Sequence, residues 1–472
     1  MYQCQNCGGG LHFDIPSQQL KCDYCQSLVD PALFHDTIKG AQEENDFEVT
    51  KFICNQCGAE IISQDNTAAS FCSFCGASTL LTSRLSRKKK PDAIIPFKKT
   101  KEDCVNAYRK LMKHAIFAPN ELKDAKCIDS FRGIYMPYWV YDVTHSGDFS
   151  LHGETYSRSG SYDITKHYHL TGEIDAEYLG ITHDASTEFS DDISESLAPY
   201  NVREMQNFNA SYLSGFYADI SDVSSRVYDE DVIKLTNDIS YEYVTTDKAF
   251  SKYTLKRETN KNIAPFNTTM PKPHYALFPV WFMSYRKNDR ITYVSINGQT
   301  GQVAADIPVD IKKYTLGSLL LAVPIFILLN FFVSMRASTV LTWTMIFSIL
   351  VVIFSFIEVN KLIKKNTGEN DRGLHATQGT QNKVRYSLFG TIKRRWIKKK
   401  ELLGILLTLA SILPALLILI IKPVSDYIYY GCAFFSIVSI FLAIRDLMKD
   451  FNLLATRKLP QFNRTGGDDD VD

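Results

Sequence analysis

Eight of the eleven cysteines in this chain form two copies of one pattern near the N-terminus. Each copy has two Cys-x-x-Cys pairs separated by fourteen residues, and the second copy begins fifty residues after the first. Four thiolates at this spacing are typical of a zinc ribbon, because Zn²⁺ accepts a tetrahedral set of soft sulfur ligands. The predicted ligands are Cys4, Cys7, Cys22 and Cys25 in the first ribbon, and Cys54, Cys57, Cys72 and Cys75 in the second.

A metal is expected because a segment of about 25 residues cannot bury enough apolar surface to fold alone. Disulfides or a redox pair are the competing interpretation. No βαβ pattern follows the cysteines and no secretory signal is evident at Met1, so we favour zinc. A closed site of four thiolates leaves no open coordination position, which predicts two structural Zn²⁺ ions. The remaining Cys104, Cys127 and Cys432 are expected to be small buried apolar residues.

The loops that carry the cysteines have their own signature. Gly8, Gly58 and Gly76 directly follow three of the four Cys-x-x-Cys pairs, and Gln26 follows the fourth. Glycine permits the positive φ that turns backbone amides toward the sulfurs. Alternating apolar residues at 11–15 predict a short strand between the pairs.

Four long uncharged stretches lie in the C-terminal third, at 314–335, 337–357, 402–421 and 427–444. A bilayer core about 30 Å thick needs about 20 residues of helix. Four such stretches flanked by Lys and Arg favour transmembrane helices over buried helices of a soluble protein. We therefore predict two transmembrane hairpins, kinked at Pro324 and Pro414.

Positive charge sets the expected orientation. The segment Lys361–Lys400 holds twelve Lys and Arg, whereas the other two connections are short. The positive-inside rule then places both termini and this loop in the cytosol of a multi-pass cell-membrane protein. Within the loop, Lys383–Lys400 has apolar residues at helical spacing and cations elsewhere. This pattern predicts an interfacial helix on anionic lipid, with an ordinary cytosolic helix as the alternative.

The segment between ribbons and membrane predicts one α+β domain. We expect helices at Lys101–His114, near Asn120–Cys127, from Asp191 to Leu197 and at Asp222–Val244, and strands at Phe131–Tyr141, Phe149–Tyr178, Leu277–Phe282 and Ile291–Ile296. Residues 142–247 hold 21 acidic against five basic residues, which argues against nucleic acid as a partner. His167 and His169 would share one strand face, but ordinary strand histidines are the favoured interpretation. No enzymatic motif is present, so no catalytic residue is predicted.

The predicted fold class is multidomain: two small β zinc ribbons, an α+β cytosolic domain and a four-helix α transmembrane region. The predicted parts are ribbon 1 (1–30), a linker (31–50), ribbon 2 (51–82), a basic linker (83–100), the α+β domain (101–311), hairpin 1 (312–358), the basic loop (359–400), hairpin 2 (401–446) and a cytosolic tail (447–472).

The combination resembles a family of bacterial membrane-anchored zinc-ribbon proteins of the TFIIB type. The matching stretches, besides the ribbons, are Pro137–Asp142 (PYWVYD), Tyr212–Asp219 (YLSGFYAD) and Asn297–Gly301 (NGQTG). Members of this family are sometimes encoded near PspA-like and SPFH-domain envelope-stress proteins. The resemblance therefore implies a membrane platform that recruits such cytosolic proteins, and it transfers no catalytic residue.

The leading hypothesis is a non-enzymatic membrane scaffold that binds cytosolic proteins through its ribbons and α+β domain. A membrane-tethered nucleic-acid-binding protein that uses the ribbons and the basic segment is the second hypothesis. A small-solute transporter or channel is the third, and it rests only on the four apolar stretches. A homo-oligomer is left open by the sequence.

Overall fold

A computed structural model describes residues 2–33, 46–63, 72–77, 82–256, 266–332, 334–367, 372 and 403–460. Its α-helices are α1 (Lys101–His114), α2 (Ala125–Asp129), α3 (Asp191–Leu197), α4 (Asp229–Thr246), α5 (Ile311–Phe332), α6 (Ala337–Thr367), α7 (Leu403–Ile421) and α8 (Asp426–Leu454). Short 3₁₀ helices lie at Pro31–Leu33, Asn120–Lys123, Val202–Glu204, Ala210–Leu213 and Ser225–Val227. The predicted interfacial helix at Lys383–Lys400 lies outside the described residues, as does the end of the tail from residue 461.

The strands are β1 (Leu11–Asp14), β2 (Gln19–Cys22), β3 (Leu28–Val29), β4 (Asp46–Ile53), β5 (Glu60–Ser63), β6 (Thr82–Lys89), β7 (Ala93–Ile94), β8 (Arg132–Ser159), β9 (Tyr162–Asp184), β10 (Gln206–Asn207), β11 (Tyr217–Ala218), β12 (Thr254–Lys256), β13 (Thr268–Thr269), β14 (His274–Lys287), β15 (Arg290–Asn297), β16 (Val303–Ala305) and β17 (Arg457–Lys458). In the described residues, β1–β3 form a small antiparallel sheet and the other strands join in a sheet of 14 strands.

The centre of the large sheet is the antiparallel ladder between β8 and β14, in which Phe278 lies opposite Met136. Successive residues of a strand point to opposite faces, and both faces are covered here. Tyr135 packs in a cluster with the first ribbon and α1, whereas its neighbours Ile134 and Met136 pack in a cluster with the second ribbon and α3. Burial on both faces explains why residues 131–141 are almost continuously apolar and aromatic.

The second ribbon belongs to this sheet. Its strand β5 pairs with β4 on one side and with β11 on the other, and β4 pairs with β6 along its length. The interpretation of 83–100 as a basic linker is wrong for its first part, because residues 82–89 form β6. From the sequence alone, a segment this rich in Lys and Arg is typical of a solvated linker. In the structure the strand β4 pairs with it.

Two of the expected helices outside the apolar C-terminal third differ from the sequence expectation. The helix expected near Asn120–Cys127 is divided into a 3₁₀ helix at Asn120–Lys123 and α2 at Ala125–Asp129. The first helix, α1, has the predicted bounds and begins with a capping box, in which Thr100 and Asp103 exchange hydrogen bonds with each other's backbone amides. The helix expected from Asp222 begins at Asp229 instead. Asp222 is held at the end of β9, since its amide donates to the carbonyl of Ala185 and its carboxylate accepts from the amide of Thr187.

Three of the described helices, α5, α6 and α8, are long and apolar enough to cross a bilayer. The fourth predicted span, α7, has a shorter apolar part at Ile405–Ile421, so a count of four is not established. Helices α6, α7 and α8 pack on one another through small side chains that include Ser348, Ser411 and Ser436. Small residues let helix backbones approach closely in lipid. By contrast, no part of the α5 span is buried against the rest of the described chain.

The soluble domain is joined to the C-terminal end of α8 by a set of polar contacts, which we call the membrane-side seam. The side-chain amide of Asn452 accepts from the amide of Val309 at 2.7 Å and donates to the carbonyl of the same residue at 2.8 Å. The guanidinium of Arg290 donates to the carbonyl of Leu453 at 2.7 Å. Residues 457–458 then add β17 to the edge of β15. The helix α8 is thereby attached to the sheet.

Candidate metal centres

The eight predicted cysteines form two groups of four in the structure. Within each group all four sulfur atoms lie within 4.8 Å of one another. The Cys4–Cys25 and Cys7–Cys22 sulfur distances are 3.5 and 3.4 Å in the first group. In the second group both closest sulfur pairs are 3.7 Å apart. Tetrahedral sulfurs about 2.3 Å from one ion lie about 3.8 Å apart, so both groups could hold a metal ion.

Each group is built from two equivalent turns. In every turn, the amide four residues after the first cysteine donates to that cysteine's carbonyl, as Gly58 does to Cys54 at 2.8 Å. The residue that donates has positive φ, and it is Gly8, Gln26, Gly58 or Gly76. The expectation of positive φ at the three glycines is therefore confirmed. Gln26 adopts the same left-handed conformation, which is strained for a residue with a Cβ atom.

The two groups differ in burial although their sequence patterns are identical. All four cysteines of the second group are buried, whereas Cys7 and Cys25 of the first are exposed. Phe74, inside the last turn of the second ribbon, is fully buried and packs 5.8 Å from the ring of Phe282. Tyr24, at the equivalent position of the first ribbon, is 81 % exposed. The second group is thus part of the protein core, and the first presents its tip to solvent.

Ser27 distinguishes the first group chemically. Its hydroxyl lies 3.2 Å from the sulfur of Cys4 and 3.0 Å from that of Cys25. This hydroxyl and nearby backbone amides lower the pKa of Cys4 to about 6, and the same hydroxyl is the main cause of a lowered pKa of Cys25. Ala77 holds the corresponding place in the second ribbon. The hydroxyl donor thus stabilises the thiolate forms of these two cysteines.

The Tyr212–Asp219 stretch connects both ribbons to the sheet. On one side, the carbonyl of Ser214 accepts from the amide of Phe13 at 3.0 Å, and the ring of Tyr212 lies 5.2 Å from that of Phe13. On the other side, β11 lies between β8 and the second-ribbon strand β5. Sequence reasoning recognised this stretch only by resemblance, and its position between two ribbons is the physical reason for its composition.

The Asn297–Gly301 stretch also has a structural role. The side chain of Asn297 donates to the carbonyl of Leu197, at the end of α3, and accepts from the amide of Gln299. A Cβ atom at Gly298 would lie 2.6 Å from the ring of Phe97, so only glycine fits there. The nearby Tyr293 donates its hydroxyl hydrogen to the carbonyl of Phe74 at 2.8 Å. The guanidinium of Arg457 lies 5.9 Å from the ring of Tyr293, which links the second metal group to the membrane-side seam.

Of the cysteines outside the pattern, which we expected to be buried, Cys104 is buried, whereas Cys127 and Cys432 are partly exposed. Cys104 lies on the buried face of α1, and burial raises the pKa of its thiol to about 12. Burial raises the pKa of Cys127 to about 11, and its thiol lies 3.5 Å from the sulfur of Met283. A raised pKa disfavours the reactive thiolate, which agrees with a packing role for both.

One helix of the soluble domain presents an apolar stripe to solvent. Leu235, Ile239 and Tyr243 follow one another at four-residue steps along α4 and are 46 %, 42 % and 72 % exposed. Asp238 and Glu242 flank them at the mouth of a shallow surface depression. The adjacent face of α4, which includes Val232 and Val244, is buried against the sheet. Sequence periodicity predicted a helix here but could not show which of its apolar side chains are exposed.

Comparison with known proteins gives one informative relative. The chain is 30 % identical over 324 residues to the uncharacterized protein YdjG of Bacillus subtilis (strain 168), an alignment that covers 66 % of this chain and 91 % of YdjG. No family model matches the chain. No solved structure matches it.

Proposed function

This chain belongs to the same family as Bacillus subtilis YdjG, and we propose that it is a non-enzymatic integral membrane scaffold that recruits cytosolic proteins to the bilayer. Membrane helices, two cysteine groups and a large sheet domain are the parts that such a scaffold combines. The seam between α8 and the sheet supports this proposal, because it would hold a docking domain in a fixed position at the membrane.

The exposed stripe on α4 is the observation that carries the proposal. Three apolar side chains at four-residue steps form a surface that fits one face of an amphipathic helix. The flanking carboxylates of Asp238 and Glu242, in a region of net charge −16, favour a partner helix with basic flanks. The proposed partner is therefore a cytosolic protein that presents a basic amphipathic helix.

The first ribbon supplies a second proposed docking surface. Tyr24 and Leu28 are 81 % and 50 % exposed beside the half-exposed cysteine group. Aromatic and aliphatic side chains on a rigid, cross-linked turn lose little conformational entropy on binding. The second ribbon cannot offer the same surface through its turns, because Phe74 and its four cysteines are buried. The doubled motif thus supports one docking tip rather than two.

The metal in both groups is proposed to be Zn²⁺. Four sulfur ligands at the observed spacing suit zinc or iron, and a closed site without a redox partner favours zinc. Elemental analysis of the full chain, purified in detergent and treated with a weak chelator, should give two zinc ions per chain. Iron in place of zinc, or less than one metal ion per chain, would contradict this assignment.

The membrane topology is proposed to be multi-pass, with both termini in the cytosol and α5, α6, α7 and α8 all crossing. A cysteine introduced at the fully exposed Val424, between α7 and α8, should then react with a membrane-impermeant maleimide in intact cells. A cysteine at the exposed Tyr162 should react only after the membrane is opened. The unsubstituted chain gives the background from its own cysteines. The reverse labelling pattern would overturn the orientation.

Recruitment is tested by co-purification of the full chain from its native membranes. A Leu235→Ser, Ile239→Ser double variant should lose one or more specific partners that the unsubstituted chain retains. The control is Ile164→Ser, which removes a side chain that is 40 % exposed near the tip of the β8–β9 hairpin. Recovery of the same partners from all three samples would contradict the proposal. The sequence resemblance nominates PspA-like and SPFH-domain proteins as the first partners to look for.

A peptide of residues 383–400 provides a second arm of this experiment, because it is itself basic and amphipathic. If the peptide binds the full chain and the double variant abolishes that binding, the stripe is occupied by the chain's own loop. That result would contradict recruitment at α4. Binding of the peptide to anionic vesicles instead would support the proposed interfacial helix.

The two alternative functions, nucleic-acid binding and solute transport, are each tested by a separate experiment. A salt-dependent gel shift with the full chain would support nucleic-acid binding. Solute flux in reconstituted liposomes would support a transporter. The hydroxyls of Ser355, Ser411 and Ser439 bond to carbonyls of their own helices, which favours helix packing over a polar pathway.

A further inference from the structure

The long hairpin of β8 and β9 carries a cluster of three histidines and one glutamate, separate from the cysteines. Its register places His152 directly opposite His169 and Glu154 directly opposite His167. Residues two apart on one strand share a face, as do residues that lie directly opposite on paired strands. Three imidazoles and one carboxylate therefore occupy adjacent positions on one face of the hairpin.

Glu154 and His167 form an oriented pair. The carboxylate oxygen of Glu154 lies 2.9 Å from Nδ1 of His167. The side chain of Glu154 is only 3 % exposed, whereas the imidazole is 72 % exposed. The hydroxyl of Tyr156 also donates to Glu154. A carboxylate on Nδ1 fixes the tautomer that keeps Nε2 available as a ligand, an arrangement common around histidines that bind metals.

His152 and His169 complete the cluster. Their ring centroids lie 5.2 Å apart, and Nε2 of His169 is 2.9 Å from the hydroxyl of Ser150. Residues two apart on a strand are separated by about 6.8 Å, which two imidazoles leaning toward each other can bridge through one ion. The backbone register places the three histidines side by side, but their ring nitrogens do not lie together as the cysteine sulfurs do. Coordination therefore requires rotation of the imidazole side chains.

We propose that His152, His167 and His169 bind one divalent transition-metal ion, with Glu154 orienting His167. Imidazole ligands suit Zn²⁺, Ni²⁺ and Cu²⁺. The site differs from the cysteine groups in two ways: its ligands are nitrogen atoms, and three ligands leave a coordination position open to water or another ligand. It is independent of the proposed scaffold function, since neither α4 nor the ribbon tip contributes to it.

The proposal is tested by metal titration of the full chain in detergent, with Zn²⁺ and Co²⁺ as probes. The chain is first treated with a chelator weak enough to spare the cysteine groups. One further Zn²⁺ equivalent should then bind reversibly. With Co²⁺, that equivalent should show ligand-field bands without the intense sulfur-to-metal charge-transfer bands that thiolates produce.

The variants separate a specific site from general binding. The double variant His167→Ala, His169→Ala should lose the additional equivalent, and Glu154→Gln should weaken its binding about tenfold or more. His114→Ala, at an exposed histidine on α1, should bind as the unsubstituted chain does. Cysteine-group metal content serves as the check on folding in every variant. The absence of a reversible equivalent in the unsubstituted chain, or its survival in the double variant, would overturn the proposal.

Discussion

Tyr24 and Phe74 occupy equivalent positions in two ribbons of identical spacing, yet Tyr24 is 81 % exposed and Phe74 is fully buried. The difference arises from what surrounds each ribbon. Phe74 packs on Phe282 in the core cluster of the second ribbon, and its carbonyl accepts the hydroxyl hydrogen of Tyr293. The second ribbon is therefore part of the core of the domain, whereas the tip of the first ribbon is exposed to solvent.

The first prediction concerns how much each of the two metal groups contributes to the stability of the fold. Cys57→Ser should destabilise the whole soluble domain, because a lost ligand there leaves polar atoms and a cavity inside the core. Cys7→Ser should mainly loosen the first ribbon, since Cys7 is exposed. Limited proteolysis checks this: cleavage should spread through the domain in the first variant and stay within residues 1–33 in the second. Equal cleavage patterns would contradict the assignment of unequal roles.

The second prediction concerns the strained turn at Gln26, which has φ of 59°. Gln26→Gly should stabilise the first ribbon by about 1 kcal/mol, because glycine adopts this conformation without a Cβ clash. The matched opposite change is Gly76→Ala at φ of 68° in the second ribbon, which should destabilise by a similar amount. Zinc release to a competing chelator measures both effects. Faster release from Gln26→Gly would show that the side-chain bond from Gln26 to the carbonyl of Asp23 matters more than backbone strain.

Sequence reasoning succeeded where the cause is local. Positive φ at Gly58 follows from the turn that a Cys-x-x-Cys pair requires, and α1 follows from a capping box and an apolar face within fourteen residues. Sequence reasoning failed where a feature depends on residues far away in the chain. The burial of Phe74 depends on Phe282 and Tyr293, more than 200 residues later in the chain, and β6 depends on pairing with β4. Long-range pairing of this kind leaves no periodic signal in the segment itself.

The same reasoning applies to the histidines. The His-x-His pattern at 167–169 placed two imidazoles on one face, but it could not locate His152 and Glu154 opposite them. Their alignment depends on the register of a hairpin whose turn lies at residues 160–161. One residue of slippage would send Glu154 and His152 to the other face.

The third prediction concerns pH and the buried carboxyl of Asp219. Burial raises its pKa to about 7, against hydrogen bonds from Ser186 and the amide of Ile220 that lower it. The unfolded chain has a pKa of about 3.9 at such a group, so the folded state favours the protonated form. Stability from this group is then greatest below about pH 4, falls as pH rises toward 7, and changes little above that.

Asp219→Asn should remove this loss while keeping an acceptor for the amide of Ile220. The variant should be more stable than the unsubstituted chain by about 2 to 4 kcal/mol at pH 8, with a smaller difference at about pH 5. Thermal unfolding in detergent at both pH values measures the effect. The control is Asp289→Asn, which makes the same change of side chain at the exposed turn between β14 and β15, away from the buried site. A shift of equal size at both pH values would show that the carboxyl does not titrate on unfolding.

The last prediction concerns the membrane-side seam, where Asn452 holds both the amide and the carbonyl of Val309. Asn452→Leu leaves these two backbone groups without their side-chain partner, at a cost of about 1 to 3 kcal/mol. Amide hydrogen exchange of a peptide covering residues 305–311 should accelerate, because the Val309 amide loses its acceptor. Asn452→Asp keeps the acceptor and loses only the donor, so the Val309 amide should stay more protected than in Asn452→Leu. If both variants exchange as slowly as the unsubstituted chain, the seam does not fix the domain to α8, and the rigid attachment on which the scaffold proposal draws would be wrong.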